Sequence, residues 1–256
     1  MPTERSSGGD PARTLQLLWR EPGPADARRG PRQSLSADRV AAAAISLADS
    51  AGLGSVTMRA VAQALGVVPM SLYTYVPGKA ELLDLMLDTA YLQMPRGDLA
   101  GRPWRERLAA VAGENRDLFT RHPWIAEISA SRPPLGPGLM AKYEHELRAF
   151  AGLGLDDVEM DAALAFLLGF VQATARSAAE AAAARQESAM SEEQWWAANA
   201  PLLARVFDEA AYPTAARVGA AAGAAHGAAY DADHGYTFGL QRVLDGLGAL
   251  IDTKGD

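Results

Sequence analysis

The chain has 256 residues, 49% of them hydrophobic and 7% aromatic, with a net charge of −7 and no cysteine. That composition allows one large packed domain or two smaller ones, and it excludes a disulfide framework and thiolate chemistry. No run reaches the roughly 18 apolar residues of a membrane span, and the N-terminus lacks a charged-then-apolar leader; the expectation is a cytoplasmic protein with no membrane partner.

Alanine and leucine dominate and period-two β-branched runs are absent, which predicts an all-α fold. Residues 1–34 are rich in Pro, Gly and Arg and read as a flexible arm with one helical turn around Leu17. Arg28, Arg29 and Arg32 lie just before the first firm helix; they read first as a solvated tail and second as a DNA-contacting arm, since basic arms serve both ways. Ser36 caps a helix to about Ala51, which Gly52 and Gly54 stop. Thr57 caps a second, in which Met58, Val61, Ala62 and Leu65 share one face. Gly66 ends it, and Pro69 opens a short third helix with Leu72 and Val76 turned inward. A long helix spans about Lys79 to Met94. Further helices are expected from Trp104 to Arg121, Pro123 to Ser129, Leu139 to Ala151, Asp156 or Asp157 to Gln186, Glu192 to Glu209, and Tyr236 to Ile251. Residues 213–229, with glycine at 219, 223 and 227, are expected to form a mobile or partly helical loop.

Charge is divided unevenly. Residues 1–79 hold nine Lys/Arg against six Asp/Glu, and the rest holds fifteen against twenty-five. A basic head on an acidic body is the footprint of nucleic-acid binding. Within that head, Thr57 to Tyr75 forms a helix-turn-helix pattern. Its second helix is expected to lie in a major groove, exposing Met70, Ser71, Tyr73, Thr74 and Tyr75 to base edges and phosphates. Arg59 reaches a guanine edge, and Lys79 at a helix N-terminus suits a phosphate. The domains expected are the arm at 1–34, a DNA-binding unit at 35–80 and a ligand-binding and dimerisation unit at 81–256.

The runs TMRAVAQALGV (57–67), SLYTYV (71–76) and GKAELL (78–83) closely resemble the tetracycline-repressor (TetR) family, over about Ser36 to Met94. More loosely, Trp195-Trp196, Tyr212-Pro213 and Phe238-Gly239-Leu240 are similar to that family's tetracycline-repressor subclass. The resemblance implies a homodimeric transcriptional repressor with a pseudo-palindromic operator and a small-molecule effector pocket in each subunit. It carries Arg59, Tyr73 and Lys79 over in residue type, but Met70, Thr74 and Tyr75 in position alone, so the operator should differ from the tetracycline operator. Met94, Val111 and Asn115 stand near places where the founding member has metal-binding histidines, which points away from tetracycline–magnesium. The pocket region suggests Met94, Val111, Asn115, Phe119, Trp124, Phe166 and Phe170 as effector contacts, with Glu146 as a second polar candidate.

Other signals are weaker. The acidic cluster Asp156-Asp157-Val158-Glu159 reads as a helix cap, not a metal site. His122, His226 and His234 are scattered, so no metal or other cofactor is indicated. Gly169, Ala173, Gly239 and Gly246 are small enough to let helices approach closely. An enzyme acting on an apolar metabolite would need a nucleophile–base pair or a metal cluster, and the sequence offers neither. A binding protein that has lost DNA recognition is opposed by Arg59, Tyr73 and Lys79.

Overall fold

The computed structural model describes residues 7–20, 35–128, 132–228 and 231–254, and these are helical with no strand among them. In chain order the helices are α1 (Pro11–Leu18), α2 (Ala37–Ala51), a 3₁₀ turn (Leu53–Ser55), α3 (Met58–Leu65), α4 (Pro69–Leu72) and α5 (Lys79–Gln93). They continue with α6 (Trp104–Arg121), α7 (Pro123–Glu127), α8 (Pro137–Arg148), α9 (Asp157–Ser188), α10 (Glu192–Val206), α11 (Pro213–His226) and α12 (Ala232–Asp252).

Local chemistry sets most of these boundaries. The Ser36 side chain accepts from Arg39 N–H, and Thr57 Oγ1 accepts from Ala60 N–H at 3.1 Å. Gly66 takes the left-handed conformation (φ 68°, ψ 30°) that closes α3. A capping box closes the start of α9: Asp156 accepts from Val158 and Glu159 N–H, and Glu159 accepts from Asp156 N–H. The acidic run at 156–159 is therefore a helix cap.

The residues before α2 depart from expectation. Around Leu17 the chain forms two turns instead of one, and α1 is docked, not a free arm. Asp10 caps it, and Leu17 and Leu18 are buried. Ser7 N–H donates to Asp84 Oδ1 at 2.7 Å, Asp10 N–H to Glu81 Oε1 at 3.3 Å, and the Trp19 indole to Leu135 O at 2.7 Å. Arg28, Arg29 and Arg32 lie outside the described residues.

Helix α5 is buried on every side from Glu81 to Asp88, as a helix enclosed by α1, α2 and α8 must be. Three of those residues are acids, and each is met by N–H donors. Glu81 and Asp84 receive the segment before α1, and Asp88 Oδ1 accepts from Leu139 N–H in the first turn of α8. The last approach is close: a Cβ on Gly138 would lie 1.9 Å from Asp88 O, so only glycine fits. Burial pushes the Asp84 and Asp88 carboxyls above their ordinary range.

Two apolar cores result. One joins α1–α5 with α7 and Leu118. The other joins α6, α9 and α12 around Leu108, Val111, Phe150, Leu167 and Leu244. Residues 213–226 form a regular helix, α11, where a mobile or partly helical loop was expected. Gly227, at φ 64°, caps it, and Trp196 of α10 packs over Gly223. Helix α9 holds no uninterrupted charge-free run of 18 residues, but by length and composition it is long and apolar enough to cross a membrane, with a mean hydropathy of 1.4 in its most apolar stretch. Leu164, Leu167 and Val171 of that stretch lie in the second core, and Arg176 donates to Ala126 O of α7.

Candidate functional site

The helix-turn-helix is built from the inside out. Val61 and Ala62 of α3, Leu72 of α4 and Val76 beyond it are fully buried in the first core. Burying these four fixes the angle of the short α4 and turns its other face outward. Met70 is 75% exposed, and Tyr73, Thr74 and Tyr75 are also exposed, with Ser71 half-buried among them. Thr57 and Arg59 lie exposed at the start of α3, and Lys79 is the first residue of α5. The Thr57 hydroxyl is engaged as a cap. Val68, 66% exposed just ahead of Pro69, belongs to the same surface; its backbone is extended (φ −76°, ψ 143°), as the residue before a proline prefers, and it was not among the residues singled out from the sequence.

The residues expected around an effector do not form one chamber. Met94 and Val111 are buried in different cores. Phe119 packs against both. Asn115 is buried and donates to Val111 O at 3.0 Å and to Glu146 Oε1 at 2.6 Å, and Lys142 Nζ reaches the same oxygen at 2.6 Å. The polar pair expected to orient a ligand is thus satisfied within the chain, between α6 and α8. Trp124 is buried, and its indole donates to Asp49 Oδ1 on α2 at 2.7 Å; His122 Nδ1 lies 2.8 Å from the same oxygen. This contact ties α7 to the first helix of the head. Phe166 is 58% exposed on α9 and faces away from both cores. Phe170 stacks on Tyr236 with ring centroids 5.8 Å apart.

A cavity of about 250 Å³ lies beside these residues, between α6, α7, α9 and α12. Of the seven expected contacts, Phe119 alone lines it. Its other walls include Thr120, Pro123, an alanine stripe on α9 (Ala175, Ala178, Ala179, Ala182), Tyr236, and Arg116 ion-paired to Asp233. The Tyr236 hydroxyl is buried with no hydrogen-bond partner, and desolvation raises its titration above the usual phenol range. Tyr236 escaped the sequence reading because an aromatic at the start of an apolar helix reads as core.

The histidines behave differently from their spacing. His226 and His234 come together with ring centroids 4.8 Å apart, and Asp231 lies 3.7 Å from His226 Nδ1. No group of three or more metal-ligating side chains is gathered among the described residues.

A helix-turn-helix with an exposed second helix, carried by a long buried helix on a larger helical body, defines a DNA-binding transcription regulator. Residues 40–86 match the family described as bacterial regulatory proteins, tetR family, and residues 97–251 match the tetracyclin repressor-like C-terminal domain. The chain belongs to the TetR family. It is 42% identical to the HTH-type transcriptional repressor DrrR1 of Streptomyces coeruleorubidus, across 97% of this chain and 90% of the relative. Its fold is similar to that of ActR from Streptomyces coelicolor in complex with actinorhodin, with a TM-score of 0.68, 26% identity, and coverage of 85% of this chain and 97% of that one. It is also similar to BioQ with its double-stranded DNA operator, with a TM-score of 0.51, 28% identity, and coverage of 60% of this chain and 91% of that one.

Proposed function

We propose that the chain is a repressor that holds a pseudo-palindromic operator as a homodimer and releases it when a small, largely apolar molecule enters the body of each protomer. The observation that carries this reading is the exposed face of α4. Met70, Tyr73, Thr74 and Tyr75 stand outward on a helix of four residues and its C-terminal turn, locked from behind by Leu72 and Val76. Arg59 reads a base, Lys79 holds a phosphate at the N-terminus of α5, and Thr57 and Ser71 complete the contact surface. The working division is a DNA-binding unit at 35–80 and a ligand-binding and dimerisation unit at 81–256. The activity is regulatory, not catalytic, and cytoplasmic.

Dimerisation is supported by what α9 and α12 leave uncovered. Only 22% of the apolar stretch of α9 is buried within the chain. Val158, Phe166 and Phe238 are exposed, and Gly169 and Gly246 have open space around them. Gly239 is committed inside the chain, against Phe170. An isologous pairing of these faces gives a dimer with two equivalent copies of α4, one for each half of a pseudo-palindrome.

For the effector, the likeness to actinorhodin-bound ActR and the cavity beside Phe119, Pro123 and Tyr236 support a ligand with an apolar body and a few polar groups. A ligand pressing on Pro123 acts next to Trp124, whose indole holds Asp49 of α2 in the head. The test is a mobility shift with DNA from upstream of the gene, followed by calorimetry of an effector that abolishes the shift, with and without operator. Linkage requires operator to weaken effector binding by the factor by which effector weakens operator. Equal effector affinities in both titrations would overturn the induction mechanism.

A further inference from the structure

We infer that α1 is part of the DNA-binding surface: its exposed face, led by Arg13 and Gln16, takes the phosphate backbone just outside the half-site read by α4. The inference rests on the proposed seating of α4 in the major groove. The helix precedes the residues that match the tetR family, 40–86, so that match assigns it no role.

Four observations converge on it. First, α1 and α4 share a groove. Arg13, Gln16, Leu17 and Arg20, at i, i+3, i+4 and i+7 of one helical face, form one wall, and Thr74, Tyr75 and Pro77 form the other. The groove encloses about 450 Å³, and the start of α2, Ser36 to Asp38, forms its floor. The surface that reads DNA therefore continues onto α1 without a break.

Second, the chemistry suits a phosphate. Arg13 is exposed and makes no ion pair with a described residue, and Gln16 beside it is an exposed amide donor. Arg20 is committed elsewhere: it pairs with Asp38 and donates to Leu17 O at 2.7 Å. That pairing neutralises the one carboxylate lining the groove and leaves Arg13 as its uncompensated charge.

Third, the helix is held in place before DNA arrives. Leu17 and Leu18 are buried, the Trp19 indole is bonded to Leu135 O, and Ser7 and Asp10 N–H groups are bonded to Asp84 and Glu81. A preordered contact loses little entropy on binding. Fourth, Thr74 and Tyr75 are exposed on the groove's far wall. DNA in contact with them therefore lies across the opening that Arg13 borders.

The experiment uses the full-length protein, a duplex recovered by selection from random sequence, and an unselected duplex of equal length. Affinity is measured against KCl concentration for wild type, R13A, R13K and Q16A, and hydroxyl-radical footprints are recorded on the selected duplex. One lost phosphate contact per protomer should lower the slope of log K against log salt by about 1.8 per dimer, since each contact contributes about 0.9. R13A should show that loss on both duplexes, with an unchanged thermal midpoint and lost protection at the outer edge of each half-site. R13K should restore the slope. Q16A should weaken the same outer protection and leave the slope unchanged. An R13A protein with wild-type slope and footprint would remove α1 from the interface while leaving the α4 reading intact. Failure of the wild type to prefer any selected duplex would overturn both.

Discussion

Helices α5 and α10 have the same length, fifteen residues, and opposite surroundings. In α5 ten residues are buried, three of them acids. In α10 none is buried, and Leu202, Leu203 and Val206 stand exposed, as Val218 does on α11. The difference separates two reasons for a helix to exist. Helix α10 is made locally, by a capping box between Ser191 and Gln194 and by an alanine-rich interior, even with Pro201 inside it. Helix α5 is made by enclosure: its carboxylates are tolerated because N–H groups from distant segments reach them. A rigid element joining Lys79, beside the helix-turn-helix, to Gln93 some 20 Å away, at about 1.5 Å per residue, is what a lever requires. A helix with a bare apolar face is what a partner chain requires.

The sharpest break of this contrast is in the core. Met86→Ala at the centre of α5 should cost about 2–5 kcal/mol of unfolding free energy at every protein concentration. Leu202→Ala on α10 should change the single chain by less than about 0.5 kcal/mol, and any larger loss should grow as the protein is diluted. Equal, concentration-independent losses in urea unfolding would erase the distinction.

The next effect tests the uncovered faces. Phe166→Asp with Phe238→Asp should convert the dimer to a monomer of unchanged helicity, read by light scattering and circular dichroism. Leu244 and Leu247 are the wrong positions for that test, although they lie on α12: both are buried in the chain's own second core, so a charge there should unfold the protomer. A dimer that survives both aspartates would move the interface off α9 and α12.

Smaller again is the reading surface. Arg59→Ala should cost about 1–3 kcal/mol of operator affinity if its guanidinium reads a base. An equal loss on operator and unrelated DNA would reassign Arg59 to phosphate. The smallest effect is electrostatic and belongs to α5. Burial raises Asp84 above its ordinary value of 3.8, so in the interval between the two values the folded chain holds a proton that the unfolded chain has released. Stability from this group is present at low pH and is lost as pH rises through the raised value. Asp84→Asn still accepts from Ser7 N–H and cannot ionise, so the variant should gain on wild type as pH rises through that interval. Parallel stability profiles would mean Asp84 titrates normally.

The helix-turn-helix was legible in the sequence because its determinants are local. Ser36 and Thr57 cap donors three residues ahead, Gly66 supplies a conformation that disfavours side chains, and Pro69 needs no N–H at a helix start. The effector contacts were less legible. Asn115 and Glu146 drew notice as polar residues near apolar ones, but they satisfy each other across α6 and α8. Trp124 drew notice as a ligand wall and instead holds Asp49 on α2. Nothing within a few positions of these residues encodes such pairings.

What the sequence alone determined, then, is the all-helical class, the position of the DNA-reading element and the caps of most helices, because each depends on groups separated by three or four residues. The tertiary structure decided the rest. It docked α1 through donors 71 and 77 residues from their acceptors on α5. It brought His226 to His234 across a helix junction, and it packed Trp196 over a glycine whose four-residue repeat reads locally as helix breaking. It also set which apolar side chains stay uncovered. Burial is a property of the assembled surfaces, and a residue's own neighbours in sequence do not specify which surface will cover it.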